Sequence, residues 1–282
     1  MLTACREIKL SDGSVIGGGR PFLIAGPCVI ESEEHAFFLA SEIKALTRKV
    51  GLPFIFKASF DKANRSALTS YRGPGVERGL AVLSRIREEI DVPVLSDIHE
   101  AWQAEPASKV LDIIQIPAFL CRQTDLLLAA ARTGRPLNVK KGQFMSPEDM
   151  VNVVHKIQST GNEQIILTER GTTFGYHDLV VDLRSIAIMK QWGFPVVIDA
   201  SHSVQRPGGA GVSSAGNPEF IPVIVRGGIA AGADGLFLEV HDDPSRALSD
   251  KQNSLPLNQL RETLAMATRL WRTMRELDHE KE

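Results

Sequence analysis

PFIFKASFDKANRS, residues 53 to 66, is the stretch that decides how the chain folds. Its first half alternates: Phe54, Phe56, Ala58 and Phe60 share one parity, and Ile55, Lys57 and Ser59 share the other. Side chains along a strand point alternately to opposite faces, so the aromatic parity packs against helices and the other turns Lys57 inward. An unpaired buried ammonium is costly, so the strand implies a carboxylate or bound anion beside Lys57. The second half, DKANRS, follows as a turn carrying Lys62, Asn64, Arg65 and Ser66.

Seven further apolar segments read as strands: FLIAGPC (22 to 28), VPVLSDI (92 to 98), IIQIPA (113 to 118), PLNVKKG (136 to 142), IILTERG (165 to 171), PVVIDASH (195 to 202) and GLFLEVH (235 to 241). Helical patterns separate them. EEHAFFLASEIKALTRKVG carries Phe37, Ile43 and Leu46 near helical spacing, and DMVNVVHKIQSTG ends on a C-cap glycine, Gly161. LNQLRETLAMATRLWRTMREL places Leu260, Leu264, Trp271, Met274 and Leu277 on one stripe. Eight strands alternating with helices predict an α/β fold, a (β/α)8 TIM barrel forming one domain over 1–282, with the barrel proper over 21–282. Within residues 1–20, EIKLSDGSVI alternates around Ser-Asp-Gly, which predicts a β-hairpin closing the bottom of the barrel. A doubly wound open sheet is the competing fold, because the same alternation feeds both, yet no GxGxxG fingerprint follows the first strand. The longest Gly/Ser-rich piece, RPGGAGVSSAGNPEF (206 to 220), reads as a mobile active-site loop rather than a linker.

Composition narrows the class. Hydrophobic residues at 43% and charged residues at 23% allow a large core without disulfide staples. Cys5, Cys28 and Cys121 form no short-spaced pair, which fits a reducing compartment and a cytoplasmic protein. The N-terminal stretch carries Glu7 and Asp12 among short apolar patches, so no secretory signal is expected, and no apolar run is long enough to span a membrane. A net charge of -2 offers no general field for nucleic acid, so any anion site must be local.

Such a local site is predicted where a barrel of this kind carries its chemistry, at the C-terminal strand ends. Parity pairs Asn138 with Lys140 and Thr168 with Arg170, so Lys57, Lys62, Arg65, Lys140 and Arg170 converge on one mouth. Five cations exceed the need of one phosphate but suit two phosphates and a carboxylate. A second set comprises Cys28, His202, Glu239 and Asp250, brought together if the first and eighth strands are neighbours. Thiolate, imidazole and carboxylates suit a divalent transition metal, but spacing leaves ordinary roles open: Cys28 in the core, His202 as a hydrogen-bonding group, Glu239 as partner of the lysines. His99 and His241 also fall near strand ends, as acid, base or packing groups.

KASFDKANRS (57 to 66), QIPAFLCRQTDLL (115 to 127), NVKKGQF (138 to 144), RGTTFGYHDLVVD (170 to 182), DASHSVQ (199 to 205) and GLFLEVHDDP (235 to 244) closely resemble 3-deoxy-D-manno-octulosonate 8-phosphate synthases. The resemblance runs from Phe22 to Leu257. It implies a cytoplasmic homotetrameric barrel that condenses phosphoenolpyruvate with D-arabinose 5-phosphate and water, releasing phosphate, in the synthesis of the Kdo of lipopolysaccharide. Carried over by motif, Lys57, Ser59, Lys62, Gln115, Ala118, Lys140 and Arg170 bind phosphoenolpyruvate, and Asn64, Arg65, Ser66 and Asp97 bind the sugar phosphate. Lys57, Lys62, His202 and Asp250 are the implied catalytic residues. The family divides into metal-dependent members with Cys in the strand-one motif and metal-independent members with Asn there. This chain reads GPC, which implies one divalent ion per subunit (Zn, Fe, Mn, Co or Cd) at Cys28, His202, Glu239 and Asp250. The related synthases that use erythrose 4-phosphate typically read KPRT where this chain reads KANRS, and they are the alternative. Sialic-acid-type synthases are more remote, since their acceptor has no phosphate for Arg65. Two other classes remain in view: a Schiff-base aldolase using Lys57 or Lys140, and a barrel that binds sugar phosphates without turnover.

Overall fold

The computed structural model describes residues 5–65, 67–206 and 215–279. Among them, eight parallel strands follow in chain order: β1 Phe22–Gly26, β2 Phe54–Lys57, β3 Val94–Asp97, β4 Ile113–Ile116, β5 Leu137–Lys140, β6 Ile165–Glu169, β7 Val196–Asp199 and β8 Gly235–His241. Each pairs with its chain neighbours, and β8 hydrogen-bonds both β7 and β1. The sheet is therefore closed, and the open-sheet alternative fails. The helices are α1 Glu33–Val50, α2 Val76–Arg85, α3 Ala104–Val110, α4 Thr124–Arg132, α5 Met150–Gln158, α6 Arg184–Lys190, α7 Ile221–Ala230 and α8 Leu257–His279.

Local chemistry sets the helix limits. In α1 the Ser32 hydroxyl accepts the His35 N–H at 3.1 Å, Glu33 and Glu34 occupy the first turn, and Gly51 ends the helix with a left-handed φ of 65°. The C-cap expected at Gly161 is displaced: α5 stops at Gln158, and Gly161 takes its φ of 84° three residues beyond. On α8, Leu260, Leu264 and Trp271 are buried as expected, but Leu277 is 46% exposed.

Two apolar layers follow from strand parity. Leu23, Ala25, Phe54, Phe56 and Ile114 point outward and pack with Ala36, Leu39, Ile43, Leu260 and Leu264 of the helices. Phe22, Ile24, Ile55, Leu95, Ile113, Ile166, Val197 and Phe237 fill the lower half of the barrel interior. The predicted hairpin is present: Glu7–Lys9 pairs antiparallel with Val15–Gly17, and Ile8, Leu10 and Ile16 join that inner layer from below. Each such fully buried side chain is worth about 1.5–3 kcal/mol, so the hairpin is held as a plug, not as a loose strap.

The upper half of the interior is polar. Register places Asp97 beside Gln115, Gln115 beside Asn138, and Lys140 beside Thr168. At the rim of β1, Gly26 has φ 153°, and a Cβ there would lie 2.1 Å from the Lys57 carbonyl oxygen. Only glycine lets β2 pass so close. At the base of the 206–220 segment, Gln205–Arg206 pairs with Ala215–Gly216, and residues 207–214 lie outside the described residues.

Candidate active site

Above the polar layer opens a cavity of about 570 Å³ lined by Lys57, Lys62, Asn64, Arg65, Asp97, Gln115, Ala118, Lys140, Arg170, His202 and Asp250. Ser59 lies beneath it, its hydroxyl donating to Asp97 Oδ1. Ser66 falls outside the described residues. All five cations expected at the mouth thus line one cavity.

They differ in depth and partner. Lys57, 1% exposed, donates to the Cys28 carbonyl at 2.8 Å and to Glu239 Oε1 at 3.2 Å, which supplies the carboxylate that its burial required. Lys140 is buried, donates to Asp199 Oδ2 and stands 3.4 Å from the centroid of the Phe237 ring. Burial, helped by repulsion from Lys57 and opposed by Asp199, lowers its pKa to about 8. Burial also acts on Lys62, yet the surrounding Cys28, Asp97, Glu239 and Asp250 hold it above the ordinary lysine range. The Arg170 guanidinium leaves Nη1 without a partner, and Arg65 leaves Nε so. Buried donors without acceptors, aimed from a cavity wall, are what an oxyanion would satisfy.

The second predicted set also converges. Ligand atoms of Cys28, Glu239 and Asp250 all lie within 4.8 Å of one another. His202 Nε2 stands 3.5 Å from Glu239 Oε1 and 3.9 Å from Asp250 Oδ2. Its other nitrogen, Nδ1, is 2.7 Å from Asp199 Oδ2, an arrangement that fixes the ring and leaves Nε2 facing the cluster. Glu239 Oε2 is buried without a partner, and Asp250 holds a left-handed φ of 48°. Burial and the Asp250 and Glu239 charges push the Cys28 thiol well above its ordinary range. A thiol that a bound cation would deprotonate, an orphaned carboxylate oxygen and an imidazole oriented from behind fit a divalent transition ion of the borderline-soft kind.

The sequence profile of the DAHP synthetase I family matches residues 6–276. The chain belongs to that family. Among curated proteins, it is 55% identical over 258 residues to the 2-dehydro-3-deoxyphosphooctonate aldolase of Syntrophotalea carbinolica, covering 91% of this chain and 93% of that one. The proteins of that name from Trichlorobacter lovleyi and Geobacter sulfurreducens are each 57% identical, over 89% and 90% of this chain and 93% and 94% of theirs.

In this member of the DAHP synthetase I family, several wall residues were not anticipated. Asp199 ends β7 and accepts from Lys140 and from the His202 backbone N–H at 2.8 Å, and it stays ionised despite burial because His202 and Lys140 surround it. Parity with Val197 points to it, but in DASH the histidine carries the more conspicuous chemistry. Gln205 accepts from Arg170 Nη2 at 2.9 Å and donates to Asp250 Oδ1 at 3.1 Å. Ser249 Oγ lies 2.6 Å from Arg65 Nη1 and 3.0 Å from Cys28 Sγ. Loop contacts of this kind leave no periodicity in the sequence. Below the rim, Lys141 is fully buried with Thr172 Oγ1 at 2.9 Å and Glu169 Oε1 at 3.6 Å.

Proposed function

We propose that this chain is a 3-deoxy-8-phosphooctulonate synthase, condensing phosphoenolpyruvate with D-arabinose 5-phosphate and water to give 3-deoxy-D-manno-octulosonate 8-phosphate and inorganic phosphate, a step of Kdo biosynthesis. The observation that carries the reading is the convergence of Lys57, Lys62, Lys140 and Arg170 in one cavity with Arg65, in a chain 55–57% identical to proteins of the matching name. Erythrose 4-phosphate is not favoured as acceptor, because KANRS puts the extra Asn64 into the cavity wall, where a longer sugar offers hydroxyls to contact.

In this reading Lys57, Lys62, Lys140 and Arg170 hold the carboxylate and phosphate of phosphoenolpyruvate, with Ser59, Gln115 and Ala118 shaping its bed. Arg65 takes the sugar phosphate, and Asn64, Ser66 and Asp97 take its hydroxyls. Asp97 is suited to accept, since Lys62 and His99 keep it ionised against the effect of burial. So held, C3 of phosphoenolpyruvate forms a bond to the aldehyde carbon, and positioning supplies much of the rate. Water adds at C2, the bond between C2 and the bridging phosphate oxygen breaks, and the phosphate leaves with that oxygen and keeps its charge partners in the lysines and Arg170. His202 and Asp250 are the groups assigned to proton movement, with His99 as a further candidate.

Cys28, His202, Glu239 and Asp250 would hold a divalent transition ion, which when bound supplies Lewis-acid polarisation at an aldehyde or water oxygen. Glu239 also anchors Lys57 beside that set, tying the two halves of the site together. The chain works as one unit over 1–282, as a cytoplasmic homotetramer; the three free cysteines support a reducing compartment, and Phe174 and Tyr176, 81% and 98% exposed, support an assembled surface. Among the described residues, no helix is long and apolar enough to cross a membrane.

The test is phosphate release from phosphoenolpyruvate with arabinose 5-phosphate or erythrose 4-phosphate, with and without EDTA. Release with arabinose 5-phosphate, lost to EDTA and restored by Mn, Zn or Co, is expected. No release with any of these ions would sink the synthase reading, and full activity after verified stripping would sink the metal.

A further inference from the structure

We propose a second divalent-metal site, formed by Glu31, His35 and His241, outside the catalytic cavity. Glu31 lies between β1 and α1, His35 in the first turn of α1, and His241 is the last residue of β8. One nitrogen of each histidine and one carboxylate oxygen of Glu31 lie within 4.8 Å of one another, the second such group among the described residues. None of the three lines the active-site cavity.

A ligand is called for by His241. Its side chain is 6% exposed, and Nε2 is buried with no hydrogen-bond partner while Glu31 Oε1 stands 3.5 Å away. His35 Nδ1 is likewise buried and unpartnered. The opposite edges of both rings meet one carboxylate oxygen: Asp242 Oδ1 is 2.8 Å from His35 Nε2 and 3.0 Å from His241 Nδ1. That is the outer carboxylate that commonly orients metal-bound imidazoles and fixes their protons away from the ion. Binding through His241 Nε2 places the ring proton on Nδ1 toward Asp242, at the expense of the Asp243 N–H that now approaches Nδ1 at 3.0 Å. Two imidazoles and a carboxylate select Zn, Co, Fe or Ni over Mg and Ca.

The site has a structural task. Glu31 Oε1 accepts the Leu248 N–H at 2.7 Å, directly before Ser249 and Asp250. An ion here would clamp the segment carrying Asp250 to the start of α1 and the end of β8.

The experiment is zinc stoichiometry by mass spectrometry on full-length protein, stripped and then dialysed against buffered Zn(II), for wild type, Cys28→Ala, His35→Leu and the double variant. Cys28→Ala is expected to keep one ion that the double variant loses, with Glu31→Gln reproducing His35→Leu should leucine perturb α1. Co(II) in Cys28→Ala should give ligand-field absorption without sulfur charge transfer, abolished by His35→Leu. Failure of Cys28→Ala to bind zinc, or zinc content in His35→Leu equal to wild type, would overturn the site. A wild type holding one ion that survives Cys28→Ala and is lost in His35→Leu would support this site and remove the catalytic one, so the two readings fail separately.

Discussion

Lys140 sits in a conflict: an apolar ring on one face, a second lysine nearby and one carboxylate holding its proton. With a folded pKa of about 8 against 10.5, the unfolded chain binds more protons between those values, so this group makes stability rise with pH across that window, and the cost of burying its charge is present in full below it. Substrate affinity runs the other way, since an anion needs the ammonium. kcat/KM for phosphoenolpyruvate is expected to fall above about pH 8, and Asp199→Asn, which removes the charge that raises this pKa, should move the alkaline limb lower. An unmoved limb in a pH-rate profile would show that Lys140 does not control it. Arg65→Ala should raise KM for arabinose 5-phosphate roughly 10-fold or more, as loss of a charge-assisted contact does, and leave KM for phosphoenolpyruvate nearly unchanged. Parity alone exposed Lys57, Lys140 and Arg170 in the sequence, because a charged side chain on an inward position contradicts its surroundings. Ser249 and Gln205 carried no such contradiction, being ordinary polar residues in loops.

The strands were legible as elements because a doubly covered parallel strand must be apolar on both faces, which yields short runs of Val, Ile, Leu and Phe. Their ends were read too long, since Ala58, Ile98 and Ala200 lie one residue past their strands yet stay buried and still donate to carbonyls of the neighbouring strand. The ladder of Thr172–Gly175 with Asp178–Val180 escaped notice, because Thr173, Phe174, Asp178 and Val180 are exposed and give no apolar alternation. The hairpin at the other end was readable by contrast, with Ile8 and Ile16 buried against polar neighbours. Ile16→Ala, leaving a cavity beneath Phe22 and Ile24, should cost about 2–5 kcal/mol in chemical denaturation while leaving both KM values in place. A cost below about 0.5 kcal/mol would mean the plug contributes little to the barrel.

For the whole molecule, closure of β8 on β1 is what brings Cys28 to Glu239, two residues separated by most of the chain. Ligand distance along the sequence therefore carries little signal, since only the closed barrel brings these residues together. Because an ion held by the native fold alone stabilises it by mass action, stripping should lower the melting temperature and added Zn should restore it, with Cys28→Ala showing a reduced response. A melting curve indifferent to chelator would argue against any tightly held ion.

The hairpin also governs traffic. With Ile8, Leu10 and Ile16 sealing the lower end, the barrel is a vessel with a single opening. Lys57 and Lys140 lie at its floor and Arg65 at its lip, so a sugar seated first would bar the passage of the deeper guest. On the proposed assignment of the two sites, phosphoenolpyruvate is expected to load before the sugar. Pre-bound phosphoenolpyruvate should be carried to product when chased with excess unlabelled substrate plus sugar, whereas pre-bound sugar should be diluted away.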